Sequence, residues 1–409
     1  VRILLVTEDL PQATPGGAAQ HAVVLGNALI DAGHEVHLLG ARREGGEAAA
    51  PGDNGFAGPL HAGIDFRGAR WQERRTGTFF PLTRPHTARR LAQALAAVTA
   101  RHGPWDLVHY HGHNALFGLQ VTGPFVHTLH DQGAECITWL RFRQGRVCNE
   151  RDARACAGCA TPQPNALQTA LSAASVRALR AGSLAVFTRH QAIFVSAFLR
   201  RRWREQQGAA ADAAHTHVVH NFVDAGRLRR ARAAPAPGPS DGRLRVLVAG
   251  RIDAAKGVGA LLALLRDESL AKLDLTVAGS GPEFEAQRAA HAPRGVRFTG
   301  WLPAQQVLEL AVAADVCVVP SVWEEPCATT VLEALSLGRT VLALERGGTP
   351  ELAVYGEPGQ LRFFDDLPAL CAALAAHAPS RWPSHERAAV QARLPEILNV
   401  YRAARGLER

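Results

Sequence analysis

The feature that most constrains this chain is an alternation of short apolar strands and helices that starts twice, once at each side of a break rich in Arg, Ala, Pro and Gly. Arg2 to Thr7 reads as a buried strand, Glu8 to Gly17 as a loop, Ala18 to Ala32 as a helix closed by Gly33, and Glu35 to Leu39 as the next strand. Further strands are expected at Leu107 to Tyr110, Phe125 to Leu129, Ala192 to Val195 and His217 to Val219, with helical spans such as Ala88 to Arg101 between them. The run Ala233 to Gly238 can form neither a packed helix nor a central strand. Beyond it the pattern restarts with Leu244 to Ala249, Leu273 to Ala278, Val296 to Phe298, Val316 to Val319 and Thr340 to Leu344. Strands that alternate with helices call for parallel sheets with crossover connections, hence an α/β fold.

A chain of 409 residues exceeds one ordinary core, which agrees with two such domains. The expected division is a domain over residues 1–224, a linker over 225–243, a second domain over 244–384, and a terminal helix within 385–409 with the spacing to pack back on the first domain. The content, 47% apolar and 20% charged, is that of a globular chain. The formal charge of +8 suits anionic partners such as diphosphates or acidic lipid headgroups. No aromatic-and-basic RNA-reading signature accompanies it, so nucleic acid ranks last. Acids at Glu8 and Asp9 follow the first apolar run directly, which argues against a signal peptide and for a cytoplasmic protein.

In open parallel sheets ligands bind at the carboxyl ends of strands. After the first strand, Gly16 and Gly17 precede a helix and would let backbone N–H groups approach a phosphate; a plain turn is the alternative. In the second half Gly250-Arg251 ends a strand and Lys256-Gly257 precedes the next helix. Lys256 and Lys272 are the only lysines among 45 basic residues, so a lysine here suggests a site that needs a compact point charge; a solvated lysine at a helix start is the alternative. The densest signal is Glu324-Glu325-Pro326-Cys327-Ala328-Thr329-Thr330-Val331-Leu332-Glu333, directly after the strand Val316 to Val319. Pro326 disfavours helix at Glu325, which stays in the loop, while Glu333 rides on a helix that starts near Ala328. The free N–H groups at that helix start, with the Thr329 and Thr330 hydroxyls, form an anion site matched to a diphosphate. Carboxylates at either side suit sugar hydroxyls.

With these motifs the chain resembles the retaining glycosyltransferases of the GT-B fold that share an E-x7-E motif, glycosyltransferase family 4. The resemblance runs nearly the full length, through Gly16-Gly17, Gly33-His34-Glu35-Val36, His130-Asp131, Asn221 to Asp224, Gly250-Arg251 with Lys256-Gly257, Gly279 to Glu283, Glu325 to Glu333, and Gly347-Gly348 with Glu351. It implies two Rossmann-like domains that face each other across a cleft, the first taking the acceptor and the second the donor. It further implies that Arg251 and Lys256 neutralise the donor diphosphate, Glu333 holds the ribose and Glu325 the transferred sugar. His130 would meet that sugar from the first domain, Gly17 would bring backbone to the diphosphate or acceptor, and residues near Gly281, Trp301 and Leu302 would line the base. Cys327, Ala328, Thr329 and Thr330 complete the implied nucleotide-sugar site.

The implied donor is a nucleotide-diphosphate sugar of the UDP or GDP type, and the acceptor a glycan, a lipid-linked molecule or a small molecule. No cofactor is needed for such chemistry, because fixed cations and a helix N-terminus can stabilise the departing diphosphate without a metal. The chain accordingly has no Asp-x-Asp triplet. A nucleotide-sugar epimerase of the same architecture and a non-catalytic nucleotide-sugar binder are the alternatives.

Cys136, Cys148, Cys156 and Cys159 crowd into an insert at about 132–165 that ends in C-x2-C. That spacing lets two thiolates reach one structural zinc, with free reduced thiols as the other reading. Arg200 to Arg204 follow an apolar stretch, a pattern for either a peripheral membrane contact or a solvated helix face. His109, His111 and His113 alternate at a strand end without a nearby fourth ligand and read as polar cleft or core residues.

Overall fold

The computed structural model describes residues 1–8, 17–41, 55–64, 83–160, 163–234 and 242–407. The chain divides into two compact units, one of residues 1–141, 148–220 and 393–409, the other of residues 142–147 and 221–392.

The first unit is built on a wholly parallel sheet of seven strands: β1 (Arg2–Thr7), β2 (Glu35–Ala41), β3 (Leu60–Ile64), β4 (Leu107–His111) and β5 (Phe125–Leu129), then β8 (Gln191–Phe194) and β9 (Thr216–Val218). Two-residue strands β6 (Phe142–Arg143) and β7 (Arg146–Val147), which group with the second unit, form a separate antiparallel hairpin. The spatial order is β3-β2-β1-β4-β5-β8-β9. Ile3, Leu4, Leu5 and Val6 are all fully buried, because both faces of the central strand are covered by crossover helices. The order reverses between β1 and β4, whose Thr7 and His111 are paired in register, and that reversal opens a crevice at their carboxyl ends.

The second unit repeats the plan with β10 (Leu244–Ala249), β11 (Leu273–Ala278), β12 (Arg297–Gly300), β13 (Val316–Val319), β14 (Thr340–Leu344) and β15 (Leu361–Phe364), ordered β12-β11-β10-β13-β14-β15. Val246, Val248, Leu275, Val316 and Leu342 pack with Leu261, Leu262 and Leu370 of the flanking helices into one core. Here the order reverses between β10 and β13.

Three expectations need correction or completion. Residues 225–233 are not a structureless linker: Ala225–Ala233 is a helix whose start is capped by the Asp224 carboxylate accepting from Arg227 N at 3.0 Å. Ala225, Leu228 and Ala231 recur at helical spacing and are buried, while Arg229 and Arg232 on the outer side pair with Glu386 at 3.0 Å. The remainder of that expected linker, 235–241, lies outside the described residues. The terminal helix is Val390–Ala404, and from Arg393 onward it belongs to the first unit, where Tyr401 places its hydroxyl 2.7 Å from His109 Nδ1.

The basic stretch after β8 forms the helix Ala197–Gln207, with Phe198, Leu199 and Trp203 buried. Trp203 donates its indole N–H to Ser183 Oγ, Arg204 pairs with Asp212, and Arg202 donates to Asn149 at 2.9 Å. Its apolar residues face the core, so this helix presents no apolar face to a membrane. The helix Ala166–Arg189 is long and apolar enough to span a bilayer by length and composition. It packs instead as a core element, burying Ala173, Val176, Leu179 and Val186, and its Arg180 donates to the carbonyls of Glu135 and Arg151.

Candidate functional site

The crevice of the second unit is made by the loops that follow β10 and β13. Gly257, at φ +70°, lies where a Cβ would sit 2.2 Å from the Pro320 carbonyl oxygen, so only glycine lets these two loops meet. That approach delivers the Lys256 ammonium to Glu325, with Nζ 2.5 Å from Oε1. Ser321 donates its hydroxyl to the same oxygen at 2.6 Å, and Lys256 lies 5.4 Å from the centre of the Trp323 ring. The loop after β14 locks Glu325 from behind: Gly348 N donates to its carbonyl at 2.7 Å, and a Cβ on Gly347 would lie 2.2 Å from that carbonyl. Burial pushes the Glu325 carboxyl up, but the Lys256 charge and the hydrogen bonds from Lys256 and Ser321 outweigh it and hold the group below its ordinary value, hence ionised.

Asp253 is a member that sequence reasoning passed over. One carboxylate oxygen accepts from Lys256 N at 2.9 Å and the other pairs with Arg251 Nε at 2.5 Å, so one side chain sets both expected cations. Arg251 is left 57% exposed, a guanidinium offered to solvent at the strand rim. Ser321 was likewise missed. A D-x-x-K spacing, in which a side chain caps the backbone of its own turn, was the available signal for Asp253.

Next to this pair the helix Thr329–Ser336 begins without a side-chain cap, since Ala328 occupies the N-cap. A cap of Ser, Thr, Asp or Asn would fill the orphan donors. Alanine leaves the first-turn N–H groups for an external anion, the arrangement that binds phosphate. Thr330 and Glu333, one turn on, line a small cavity with Leu247, Ala249 and Val319 at the ends of β10 and β13. Burial raises the Glu333 carboxyl to about 7, with Arg227 pulling the other way. Cys327 is buried and its thiol is pushed up to about 12, so it is neutral packing; its carbonyl accepts from Asn221 at 3.1 Å. Trp301 is 56% exposed just past β12, with Leu302 partly buried beside it. Gly281 has a local purpose of its own: a Cβ there would lie 2.3 Å from the Ile252 carbonyl oxygen, so the residue seals two rim loops together.

In the first unit Gly17 opens the helix Gly17–Asp31 at an exposed position with open space where a Cβ would be; Gly16 lies outside the described residues. His130 follows β5, with Nε2 3.2 Å from His111 Nδ1 and its ring 4.6 Å from that of His21. Asp131 pairs with His113 and accepts from Gly133 N at 2.8 Å. Burial pushes the Asp131 carboxyl up, and the His113 ring with the Gly133 N–H reverses this and keeps it ionised. His109, by contrast, is a satisfied core residue between Tyr401 and Thr128, each at 2.7 Å.

The expected zinc centre is not supported. Among the described residues the four cysteines do not gather into a ligand group, and each is a free thiol. Burial pushes Cys156 up to about 11, away from the thiolate a metal needs. The insert is held instead by a buried ion pair, Arg141 to Glu135 at 3.1 Å, and by Arg141 donating to the carbonyls of Cys148 and Glu150.

Residues 15–227 match the family described as Glycosyltransferase Family 4, and residues 243–377 match Glycosyl transferases group 1. The chain belongs to glycosyltransferase family 4. It is similar to the glycogen synthase of Mycobacterium tuberculosis, 27% identical over an alignment of 392 residues that covers 91% of this chain and 85% of that one. It is also similar to the phosphatidyl-myo-inositol mannosyltransferase of Mycolicibacterium smegmatis, 25% identical over 379 residues, 88% of this chain and 80% of that one. Among solved structures it resembles the catalytic domain of Arabidopsis thaliana starch synthase IV bound to ADP and acarbose, with a TM-score of 0.63, 12% identity and 99% of each chain covered. Anabaena HepE in complex with UDP and glucose gives a TM-score of 0.58 at 15% identity, over 92% of this chain and 89% of that one. These two likenesses establish the GT-B fold. The family 4 enzyme is thus a retaining glycosyltransferase that uses a nucleotide-sugar donor.

Glu333 gives this transferase a readable pH signature. Its folded value, about 7, lies above the ordinary 4.5, so the folded state binds the extra proton between these values and loses stability as pH rises through them. Glu333→Gln is therefore expected to raise Tm by a few degrees at pH 8, at about 2–4 °C per kcal/mol for a unit this size, with the gain vanishing near pH 4. If Glu333 holds the ribose, as the resemblance implies, nucleotide affinity should fall about tenfold. Calorimetric melts and nucleotide titrations at both pH values check this, and a lower Tm at pH 8 would refute it.

Proposed function

We propose that the enzyme moves a hexosyl group from a nucleoside-diphosphate sugar to a hydroxyl of a glycan, lipid-linked or small-molecule acceptor. The observation that carries the reading is the Lys256–Glu325 contact at the carboxyl rim of β10 and β13, beside a helix whose first turn has no cap. Cations at Arg251 and Lys256 and the N–H groups of Thr329 and Thr330 stabilise negative charge on the departing diphosphate as the glycosidic bond breaks. The leaving phosphate accepts the acceptor's proton, so no protein base is needed. Glu325 orients the transferred sugar through its hydroxyls, Glu333 holds the ribose, and the exposed Trp301 face stacks on the base with Leu302 beside it.

UDP and ADP occupy the solved relatives named above, and a glucan synthase and a lipid mannosyltransferase are both among the similar proteins. The test follows from that spread. Thermal stabilisation by UDP, ADP and GDP is measured first, then turnover of the matching sugar nucleotides with glycan and polyprenyl-linked or inositol-lipid acceptors. One nucleotide should raise Tm by several degrees at 100 times its Kd. Retained anomeric configuration in the product is expected. Tight donor binding with no transfer to any acceptor, or epimerised donor without acceptor, would overturn the proposal.

A further inference from the structure

The first unit brings three imidazoles together at the carboxyl ends of adjacent strands. His111 is the last residue of β4, His130 follows the neighbouring β5, and His21 projects from the first turns of the helix after β1. Their ligand nitrogens all lie within 4.8 Å of one another, the one such group of three among the described residues. We propose that His21, His111 and His130 form a three-nitrogen site for a first-row transition-metal dication of the zinc type, with a fourth position open to solvent.

Four geometric facts support the site. A tetrahedral ion with Zn–N bonds of about 2.0–2.1 Å places its ligand nitrogens roughly 3.3 Å apart, and His111 Nδ1 and His130 Nε2 already stand 3.2 Å apart. His111 is fully buried at the carboxyl end of β4, so its ring is held in place within the cluster. Negative charge lies close by: Asp131, the residue after His130, is ionised and paired with His113. His21 and His130 are only partly buried, which gives an ion its way in and leaves the fourth position open. Three imidazoles without thiolates favour Zn2+, Co2+, Ni2+ or Cu2+ over Mg2+ or Ca2+.

The other clusters of ligating residues serve as internal controls. His37, His61 and His102 also lie together, with His37 Nδ1 2.9 Å from His61 Nε2, but their nitrogens do not converge to the same degree. The four insert cysteines do not converge either.

The experiment uses the full chain without an affinity tag, stripped with chelator and titrated with Co2+ while its visible absorption is recorded, followed by displacement with Zn2+. One ion per chain with a tetrahedral cobalt spectrum is expected. His21→Gln should weaken binding at least tenfold, and a Cys156→Ser, Cys159→Ser double variant should bind as the unaltered protein does. His21 is partly exposed, so its variant keeps the test open if His111→Gln fails to fold; circular dichroism melts check both. Undiminished binding by His21→Gln, loss of binding in the cysteine variant, or no cobalt spectrum at millimolar Co2+ would each overturn the proposal. No sugar nucleotide is present, so the result is independent of the role assigned to His130 in transfer.

Discussion

Glu325→Ala is expected to lower kcat by about two to three orders of magnitude while changing the Kd of the free nucleotide by less than about threefold. The split follows from where Glu325 sits. It is 4% exposed, fixed by Ser321, Lys256 and the Gly347-Gly348 backbone, and separated along the chain from Glu333, which is assigned to the ribose. A carboxylate so fixed cannot swing to serve the nucleotide, so on the proposed function its loss removes the orientation of the transferred sugar, together with the anchor for Lys256. Both are felt in the transition state more than in the bound nucleotide. Steady-state rates with the identified donor and calorimetric titration with the nucleoside diphosphate give the two quantities. Equal losses in both would place Glu325 on the nucleotide instead and refute the assignment.

Much of this arrangement could be read before any coordinates. Buried parallel strands announce themselves as short, predominantly apolar runs between turn signals, which is why Arg2–Thr7, Phe125–Leu129, Leu244–Ala249, Leu273–Ala278, Val316–Val319 and Thr340–Leu344 stand where their composition places them. The edge strands were harder. β3, Leu-His-Ala-Gly-Ile, mixes small and polar residues and is mostly only partly buried, and β15 carries an exposed Arg362; neither passed for a strand. The helix Ala225–Ala233 hid in an arginine-rich stretch, because its apolar stripe is only Ala225, Leu228 and Ala231 and makes sense once Asp224 is seen as its cap. The positions of Arg251, Lys256 and Glu325 in the loops after β10 and β13, and of Thr330 and Glu333 on the helix that follows, were legible because strand, loop and helix succeed one another there. Asp253 and Ser321 act through polar contacts to near neighbours, Asp253 to Lys256 N and Arg251 and Ser321 to Glu325, which leave no periodic trace. The cysteine spacing pointed to a metal that the insert does not gather, while His21 shows nothing in the chain to connect it with residues about 90 and 109 positions later.

The second large effect is expected at Lys256. Lys256→Ala leaves the Glu325 carboxylate buried with Ser321 as a remaining donor, and breaking a buried ion pair from one side costs about 3–5 kcal/mol. Because the Lys256 side chain is 30% exposed, water screens part of this, and about 2 kcal/mol is the reasonable figure, a fall in Tm of about 4–8 °C. The sign with pH follows from Glu325, whose folded value is lowered from 4.5. The pair stabilises the fold above that ordinary value and loses its contribution as pH falls through the lowered one, so wild type and variant should melt closer together at pH 3.5 than at pH 7.5. On the proposed function the same ammonium faces the departing diphosphate, so turnover should fall about 100- to 1000-fold at once. Lys256→Arg separates the two roles. A guanidinium restores positive charge beside Glu325 and recovers much of the lost Tm, but its planar fork cannot take the place of a compact ammonium between Glu325 and the Trp323 face, so turnover stays low. Full recovery of both by arginine, or a Lys256→Ala protein that melts like the unaltered enzyme at neutral pH, would show that the contact carries neither role.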